Sequence, residues 1–423
     1  MAIPTAARAA DSERLPIRCG FLYNHEQLHQ IAHSAPIAFE LMRMGPALEV
    51  SLITTSAPQQ RHLEALLRQA GLPTTGLRRI GLAPLQRALA TLLDPFVPYS
   101  RVATLLANVD AFRALDVLVV PEKTSLLLRT RPGLERLKFV HTRHGAGDRE
   151  VGFDRASGRF DLVLLSGPKI RDRLLAAGVL REDGHAIVGY PKFDLCPAAA
   201  ARPRLFDDDR PTVLYNPHCS PHLSSWFEHG LDVLEAFYRS GRYHLVFAPH
   251  VMLFRKRVQI SLAPPALRRT GRIPARYRNC PHIHIDLGSE RSTDMTYTEA
   301  ADCYLGDVSS QIYEFLRRPR PCAFVPARPH EWRDDPNFRH WHCGPVLADA
   351  RRVIEGVDAA FATHDAYRAA QQALFAESIS LDAVPSARRA AEAIVRFARR
   401  WSEAAAAPAA AGDACAAAVR EPA

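Results

Sequence analysis

The sequence predicts an α/β protein with two Rossmann-like parallel-sheet domains that face a cleft. Short apolar segments alternate with amphipathic helical segments along most of the 423 residues, an order typical of parallel sheets covered by helices. A chain of this length has room for two cores of about 150 to 200 residues each. The composition changes at residues 198–209, which are rich in Ala, Pro, Arg and Asp, so we place the interdomain linker there. The expected domains are residues 1–199 and 200–401.

The first domain is predicted from apolar strands that each precede a helix or a turn. The clearest helix covers residues 166–179, because Ser166 is suited to cap it, Pro168 lies near its first turn and Gly178 marks its end. Apolar residues also recur at helical spacing over residues 25–44 and 59–69. The predicted strands are residues 17–23, 48–54, 115–121, 137–142, 160–165 and 185–194.

The second domain repeats this pattern and adds three other segments. Residues 255–278 are Arg-rich and interrupted by Pro, and we expect a cationic excursion from the sheet there. Ser386 is suited to begin a helix with an apolar docking face, and the Ala-rich residues 402–423 are expected to form a disordered tail. The predicted helices are residues 227–238, 295–301 and one opening at Val308; the predicted strands are residues 212–215, 243–247, 282–287, 301–306 and one ending at Val325.

Composition limits the class of partner. A formal net charge of +9 and an isoelectric point near 9.3 suit phosphate-bearing ligands, nucleic acid or an anionic membrane surface. Basic strands interleaved with aromatic residues, a helix-turn-helix and a zinc module are all missing from the sequence, so we do not expect a nucleic-acid partner. Phosphate ligands and a possible anionic membrane surface remain.

Cysteine spacing and hydropathy indicate the compartment. The eight cysteines are scattered without a C-x-x-C pair, which is typical of reduced, mostly buried thiols in a cytoplasmic protein. The first residues lack the apolar core of a signal peptide, and no run of about 18 apolar residues occurs. We therefore expect a cytoplasmic protein, possibly peripheral on the inner face of the cell membrane.

An anion site is predicted where a strand ends at Gly306 and Asp307 and a helix opens at Ser309 and Ser310. A helix start offers backbone N–H groups, a positive dipole end and here two hydroxyls, which suit a phosphate or diphosphate. The alternative is that Asp307 or Ser309 only caps the helix. Glu314 lies one turn further on, where it can hold a ribose hydroxyl or remain a solvated helix charge.

Further polar segments follow other predicted strands, and parallel sheets bring such strand ends to one cleft. His144 precedes Gly145 and can act as a base toward an acceptor hydroxyl, or it can be a buried His bonded to its turn. Arg143, Asp148 and Arg149 make a polar cleft around it. In the second domain, His250 can donate to a phosphate, and Asn216 and His218 are weaker donor-binding candidates.

Three histidines of the first domain recur at helical spacing, at positions 25, 29 and 33. Histidines spaced in this way can bind a metal, but a further ligand such as a carboxylate at fixed spacing is missing. We interpret this stripe of histidines as a cleft-lining or solvated face and expect neither a metal nor another cofactor.

The order of these motifs resembles the CDP-glycerol glycerophosphotransferase family, the teichoic-acid polymerase-like enzymes. The similarity runs from about residue 115 to residue 326 and is clearest at residues 307–325. It implies a GT-B arrangement and an inverting transfer without metal. Matched position by position, it implies that His144 is the base, His250 the second-domain His, Ser309 and Ser310 the phosphate-binding pair, and Glu314 the acidic helix residue.

Two motifs depart from the family pattern. The first usually continues His-Gly-Thr-Pro, whereas this chain has His144-Gly145-Ala146-Gly147; the second usually reads Lys-Pro-His-Pro, whereas here it is Ala248-Pro249-His250-Val251. The resemblance therefore does not define the identity of the nucleotide-activated donor.

Three functions follow from these residues. The first is a transferase that moves a glycerophosphate, another polyol phosphate or a sugar from a nucleotide-activated donor to a cell-surface glycan or lipid-linked acceptor. The second is a non-hydrolysing UDP-sugar 2-epimerase, a family that uses a similar late Ser-rich helix start followed by Gly-Gly, which is absent here. The third is a catalytically degenerate binding protein of the same fold.

Overall fold

The structure is a computed structural model that describes most of the chain. His144 lies outside the described residues, as do the N-terminal segment and the end of the predicted tail. The described residues are 16–25, 27–94, 97–143, 145–149, 153–196, 202–262 and 264–406.

A seven-stranded parallel sheet forms the centre of the first domain, with strand order β3-β2-β1-β4-β5-β6-β7. Helices cover both faces, so the central strands are nearly continuous apolar runs, as parallel sheets require. The order reverses beside β1, which pairs with both β2 and β4. Its strands are β1 (Ile17–Tyr23), β2 (Leu48–Thr54), β3 (Leu77–Arg79), β4 (Val117–Val120), β5 (Lys138–Thr142), β6 (Leu162–Leu165) and β7 (His185–Ile187).

The helices of the first domain depart from the prediction at one place. The helix expected over residues 25–44 is divided at Ser34, whose backbone is not helical (φ −129°), because Pro36 supplies no N–H to a preceding turn. A 3₁₀ segment, Leu28–His33, comes before the division. The helices are α1 (Ala35–Arg43), α2 (Ala57–Gln69), α3 (Pro84–Leu93), α4 (Tyr99–Ala107), α5 (Asp110–Arg113), α6 (Pro168–Ala176) and α7 (Lys192–Leu195); further 3₁₀ segments are Lys123–Thr130 and Arg155–Arg159.

The strand expected over residues 185–194 is also shorter than predicted. It ends at Ile187, because Gly189 adopts φ +86° and Pro191 fixes a turn. The chain then forms α7, so Lys192 lies on a helix at the domain boundary.

A five-stranded parallel sheet forms the second domain, with strand order β12-β9-β8-β13-β14. The predicted cationic excursion contains a separate antiparallel ribbon of β10 and β11. The strands are β8 (Thr212–Asn216), β9 (His244–Phe247), β10 (Val258–Leu262), β11 (Pro265–Arg269), β12 (Ile283–Ile285), β13 (Cys303–Gly306) and β14 (Cys322–Phe324).

The helix expected to open at Val308 is short, since it covers only Ile312–Phe315 and is stopped before Pro319 and Pro321. Of the remaining helices, three were predicted, at residues 227–238, 295–301 and from Ser386, and three others, at residues 275–278, 353–362 and 364–378, were not. The helices after β8 are α8 (Trp226–Ser240), α9 (Ala275–Arg278), α10 (Thr296–Ala300), α11 (Ile312–Phe315), α12 (Val353–Ala362), α13 (His364–Ser378) and α14 (Ser386–Ala406), with 3₁₀ segments Glu290–Ser292, Pro336–Cys343 and Ala350–Arg352.

The last helix returns to the first domain. Buried Ala390, Ala391 and Ile394 of α14 pack with Phe39 of α1 in the core beneath β1 and β2. The Ser386 hydroxyl accepts from the Tyr190 backbone N–H at 3.0 Å, and the Ala387 N–H donates to Asp194 at 2.6 Å. The helix runs five residues beyond the predicted start of the tail, and residues 407–423 lie outside the described part.

Two findings concern membrane-spanning helices and cysteines. Among the helices of the described ranges, none combines the length and the apolar character that crossing a bilayer requires. The seven described cysteines are free thiols, and five of them are buried.

Candidate functional site

A cavity of about 380 Å³ lies between the two domains and receives polar side chains from both. We call it the interdomain cavity. From the first domain it is lined by the three histidines at 25, 29 and 33 and by Gly145, Tyr190 and Lys192; from the second it is lined by His250, Ser309, Ser310 and Glu314. The predicted stripe of histidines and the predicted anion segment thus face the same space.

A larger cavity of about 970 Å³ lies beside the end of β14, between Arg328, Trp332 and His342. All of the residues that line it belong to the second domain. We place the functional site in the smaller cavity, because ligand sites in open α/β folds form where strand ends converge.

The segment after β13 presents backbone donors to the interdomain cavity. Within the described residues, no acceptor takes the backbone N–H groups of Ser309, Ser310 or Gln311. Ser309 is buried and Ser310 is exposed. The helix that follows has only four residues, so its dipole adds little, and binding of an anion here depends on three successive N–H groups and the Ser310 hydroxyl.

The loop after β5 closes against this segment. Gly145 has φ +82°, and a Cβ built on it would lie 3.5 Å from Ser310 Oγ. A Cβ on Gly147 would lie 3.2 Å from Ser310 Cβ, which leaves little room for any larger residue. The turn that directly follows His144 therefore lies against Ser310, although His144 is itself outside the described residues.

His250 presents one ring nitrogen to the cavity. Its Nδ1 accepts from the Met252 backbone N–H at 3.2 Å, which leaves the Nε2 of the neutral ring as a donor. Burial, together with the charge of the nearby Arg149, lowers the pKa of His250 to about 4. At neutral pH this ring is thus a neutral donor, suited to a phosphate oxygen.

His218 lies next to His250, with ring centroids 5.4 Å apart. Its Nδ1 accepts from the Ser220 N–H at 2.9 Å, and Arg149 of the first domain reaches across to its Nε2 at 2.5 Å. Burial, followed by the charge of Arg149, holds the pKa of His218 well below its ordinary value. Arg149 thus brings a cation to the edge of the second-domain sheet.

His218, Cys219 and His250 offer ligand atoms within 4.8 Å of one another, so a metal must be considered. Arg149 lies 2.5 Å from one of these atoms, His218 Nε2, and its charge opposes a cation. The cluster fits an anion better than a metal.

Glu314 bridges the two domains. Its Oε1 accepts from Lys192 Nζ at 2.6 Å and from the Tyr190 hydroxyl at 3.0 Å. Its Oε2 is buried and has no hydrogen-bond partner among the described residues. Burial, with Glu314 beside it, raises the pKa of Tyr190 well above its usual value, so Tyr190 remains a donor. One oxygen of Glu314 is left to accept from a ligand.

Asp307 and Asn216, two other predicted donor-site residues, are buried and hold the backbone. The Asp307 carboxylate accepts from the backbone N–H groups of His218 and Ser225 at 3.0 and 2.8 Å. Asn216 Nδ2 donates to Ala248 O at 2.6 Å. Both side chains fix the loops that carry His218 and His250 rather than face the cavity.

Gly306, at the end of β13, has a packing role. A Cβ there would lie 2.5 Å from the Tyr304 ring, so only glycine fits this position without a shift of that ring.

Asp148 forms a buried bridge between the domains. Its carboxylate accepts from Lys169 at 2.6 Å and from the hydroxyl of Tyr313 at 2.5 Å, and His340 Nδ1 lies at 3.0 Å. Burial acts to raise the pKa of Asp148, but the hydrogen bond from His340 and the charge of Lys169 hold it below its usual value. Arg143 lies over the Phe153 ring at 5.3 Å. Both residues are behind the cavity wall.

Sequence reasoning missed Tyr190, Lys192, Lys169 and His340. Tyr190 and Lys192 were hidden in a segment taken for a strand, although the Gly and Pro around them are turn signals. Lys169 and His340 are far apart in sequence and meet only through Asp148, so no local pattern marks them.

Two parallel sheets that face each other across a cavity, with the last helix returned to the first domain, define a GT-B-type fold. No protein-family model matches the sequence, and no curated protein matches it. Solved structures do match, among them a putative UDP-N-acetylglucosamine 2-epimerase from Listeria monocytogenes, at a TM-score of 0.57 and 11% identity, covering 90% of this chain and 95% of that one. The Neisseria meningitidis UDP-GlcNAc 2-epimerase bound to UDP-GlcNAc gives 0.55 and 12%, covering 91% and 100%.

A variant of the wall teichoic acid polymerase TagF soaked with CDPG also matches. Its TM-score is 0.55 at 13% identity, and the match covers 94% of this chain and 92% of that one. At these identities the likeness shows the fold. The GT-B arrangement implied by the motifs is confirmed, and the particular family belongs to the proposal below.

Proposed function

We propose that this protein is a transferase that moves a glycerophosphate, another polyol phosphate or a sugar from a nucleotide-activated donor to a glycan or lipid-linked acceptor. The observation that carries the proposal is the meeting of Gly145 and Ser310 at the interdomain cavity. It brings the turn after His144 to a segment of the cavity wall, Ser309 to Gln311, whose backbone N–H groups have no acceptor among the described residues.

The donor diphosphate binds along the second-domain wall. Its charge is met by the N–H groups at Ser309 and Ser310 and by His250 Nε2–H. The guanidinium of Arg149, which contacts His218 beside His250, adds positive charge behind this wall. Such preorganised donors stabilise the charge that develops on a departing nucleotide. The free Oε2 of Glu314 accepts from a ribose hydroxyl and so orients the nucleoside.

The transfer itself uses the acceptor hydroxyl as nucleophile. When the group transferred is a glycerophosphate or another polyol phosphate, the hydroxyl oxygen forms a bond to the donor phosphorus, the bond from that phosphorus to the bridging oxygen breaks, and the nucleoside monophosphate leaves with that bridging oxygen. His144, at the turn that closes on Ser310, takes the hydroxyl proton. Because the cavity lies between domains, closure excludes water and suppresses hydrolysis.

A second candidate is a UDP-sugar 2-epimerase, and one residue favours it. Glu122 of the first domain lines the cavity, and burial raises its pKa, with Arg101 opposing. A carboxyl group whose pKa is raised by burial is suited to acid–base chemistry on a sugar ring.

The test is a panel of CDP- and UDP-activated donors, measured by thermal shift and by nucleotide release with and without acceptor. The transferase is supported if a CDP-polyol stabilises the wild type, a Ser309→Ala/Ser310→Ala variant loses that shift and His144→Ala keeps it but releases no nucleotide. Ser240→Ala, at the far end of α8, is the matched control and should behave as wild type. Exclusive binding of UDP-sugars, with solvent deuterium entering the sugar, would establish the epimerase instead.

A further inference from the structure

The antiparallel ribbon of the second domain carries a concentrated positive charge. Residues 255–272, which we call the basic ribbon, contain six cations and neither Asp nor Glu. Five of the cations are exposed, while Arg268 lies 3.3 Å from Glu228. The cations are Arg255, Lys256, Arg257, Arg268, Arg269 and Arg272.

The same ribbon exposes an apolar pair. Ile260 and Leu267 are direct cross-strand partners, so they project from one face, and they are 66% and 60% exposed. Val258 and Arg269 are the next partners on that face, toward the base of the ribbon. The face therefore presents aliphatic side chains near its tip and the cation Arg269 near its base.

The ribbon is fixed to the domain by its opposite face and its base. Gln259 Nε2 donates to the carbonyls of Met252 and Leu253 at 2.7 and 2.9 Å. Thr270 Oγ1 donates to Lys256 O at 2.9 Å, and Trp226 Nε1 donates to Thr270 O at 2.8 Å. Its outward face is thus presented in one defined direction.

We propose that the basic ribbon binds the surface of an anionic phospholipid bilayer, with Ile260 and Leu267 inserted among the acyl chains and the cations at the headgroup phosphates. Cations near an anionic leaflet and aliphatic side chains at its boundary act together in surface-bound proteins. A nucleic acid fits this face less well, because the basic ribbon has no aromatic side chain for base stacking.

The ribbon begins at the wall of the interdomain cavity. Met252 and Lys256 line that cavity, and Lys256 is also the second residue of the basic ribbon. Binding of the ribbon to a bilayer holds the cavity close to the headgroups, where a lipid-linked hydroxyl would be found. The bilayer contact does not depend on the reaction proposed above, and only this orientation rests on it.

The experiment is sedimentation of the full-length protein with vesicles of phosphatidylcholine alone or with about 30 mol% phosphatidylglycerol. We expect binding to the anionic vesicles only, weakened by salt. Ile260→Ser/Leu267→Ser and Arg257→Glu/Arg269→Glu should each weaken it at least about tenfold, with wild-type thermal unfolding and donor binding. The matched control is Leu85→Ser/Leu92→Ser on α3, whose side chains are 83% and 69% exposed.

The controls separate the outcomes. Unchanged binding by both ribbon variants would overturn the proposal, as would loss of binding by the α3 variant alone. If the charge variant loses binding to both vesicles and duplex DNA while the apolar variant keeps both, the ribbon is a general polyanion site and the lipid proposal fails. Failure to turn over any donor, with lipid binding intact, would affect only the proposed function.

Discussion

Lys192 Nζ lies 2.6 Å from Glu314 Oε1, and the two residues belong to different domains. Both side chains are about 95% buried, with exposures of 4% and 5%. The pair therefore joins the domains at the wall of the interdomain cavity and also determines which oxygen of Glu314 is left for a ligand.

Lys192→Met is expected to destabilise the protein by about 3 to 5 kcal/mol, because it leaves the Glu314 charge buried without its cation. Adding Glu314→Gln should recover much of that loss, since no unpaired charge remains. Urea unfolding of the two single variants and the double variant checks this as a cycle. Additive losses would show that the two side chains do not interact.

The contact between the loop after β5 and Ser310 predicts a compensating pair. Gly147→Ala should reduce donor binding, because the new Cβ would lie 3.2 Å from Ser310 Cβ, and Gly147→Ala/Ser310→Gly should restore part of it. Calorimetric titration with the donor measures both. A Gly147→Ala variant that binds as the wild type does would contradict this placement of the loop.

Gly145→Ala should not be rescued by Ser310→Gly. Its φ of +82° strains any residue with a side chain, at about 1 to 2 kcal/mol. Gly71→Ala is the control, because Gly71 has φ +66° and no atom within 4 Å of its Cβ position. Gly71→Ala should lower the temperature of thermal unfolding because of this strain, and it should leave donor binding unchanged.

Stability should fall as the pH is lowered from about 6.5 to 4. Over this range an unfolded His250 takes up a proton that the folded residue, with a pKa of about 4, excludes. The unfolded state then binds more protons, so stability rises with pH, by up to about 1.4 kcal/mol per pH unit for one proton. In His250→Gln, the pH dependence of the free energy of unfolding should be weaker by up to the contribution of one proton over this range, and it should be unchanged above pH 7. Urea unfolding at a series of pH values measures both.

The Asp148 bridge predicts a loss of docking between the domains. Asp148→Asn should cost about 3 to 5 kcal/mol, because Lys169 then loses its buried partner, and Tyr313→Phe about 1 kcal/mol. Limited proteolysis of the interdomain segments and thermal unfolding check it. Asp172→Asn, at an exposed ion pair with Arg171, should change neither the proteolysis of the interdomain segments nor thermal unfolding. Equal effects of Asp148→Asn and Asp172→Asn would contradict the bridge.

Much of the fold was predictable because parallel strands buried on both faces are continuous apolar runs. The bounds of β1 and β2 agree with the prediction at both ends, and the GT-B arrangement follows from two such sheets. The helix predicted to open at Val308 begins only at Ile312, whereas the Pro-flanked turn predicted after it is present at Pro319 and Pro321. Apolar periodicity shows which face of a helix is buried, but it does not show where the backbone hydrogen bonding of that helix begins or ends.

The candidate site was predictable in part. Ser309, Ser310 and His250 were predicted because they follow a strand or begin a helix, and Glu314 because it lies one helical turn after Ser310; all four line one cavity. Asp307 has the same local signal, yet its carboxylate is satisfied by the backbone of another loop. Whether a polar residue at a strand end faces a ligand or a neighbouring loop depends on contacts distant in sequence, which a single sequence does not contain.

The return of α14 to the first domain has a consequence for synthesis on the ribosome. Ala390, Ala391 and Ile394 complete the core around Phe39, so residues made after the whole second domain fill a space formed by residues made before it. The core of the first domain then stays partly open while the second domain is being made. A nascent chain halted before Ser386 would present an apolar surface to chaperones rather than a finished domain.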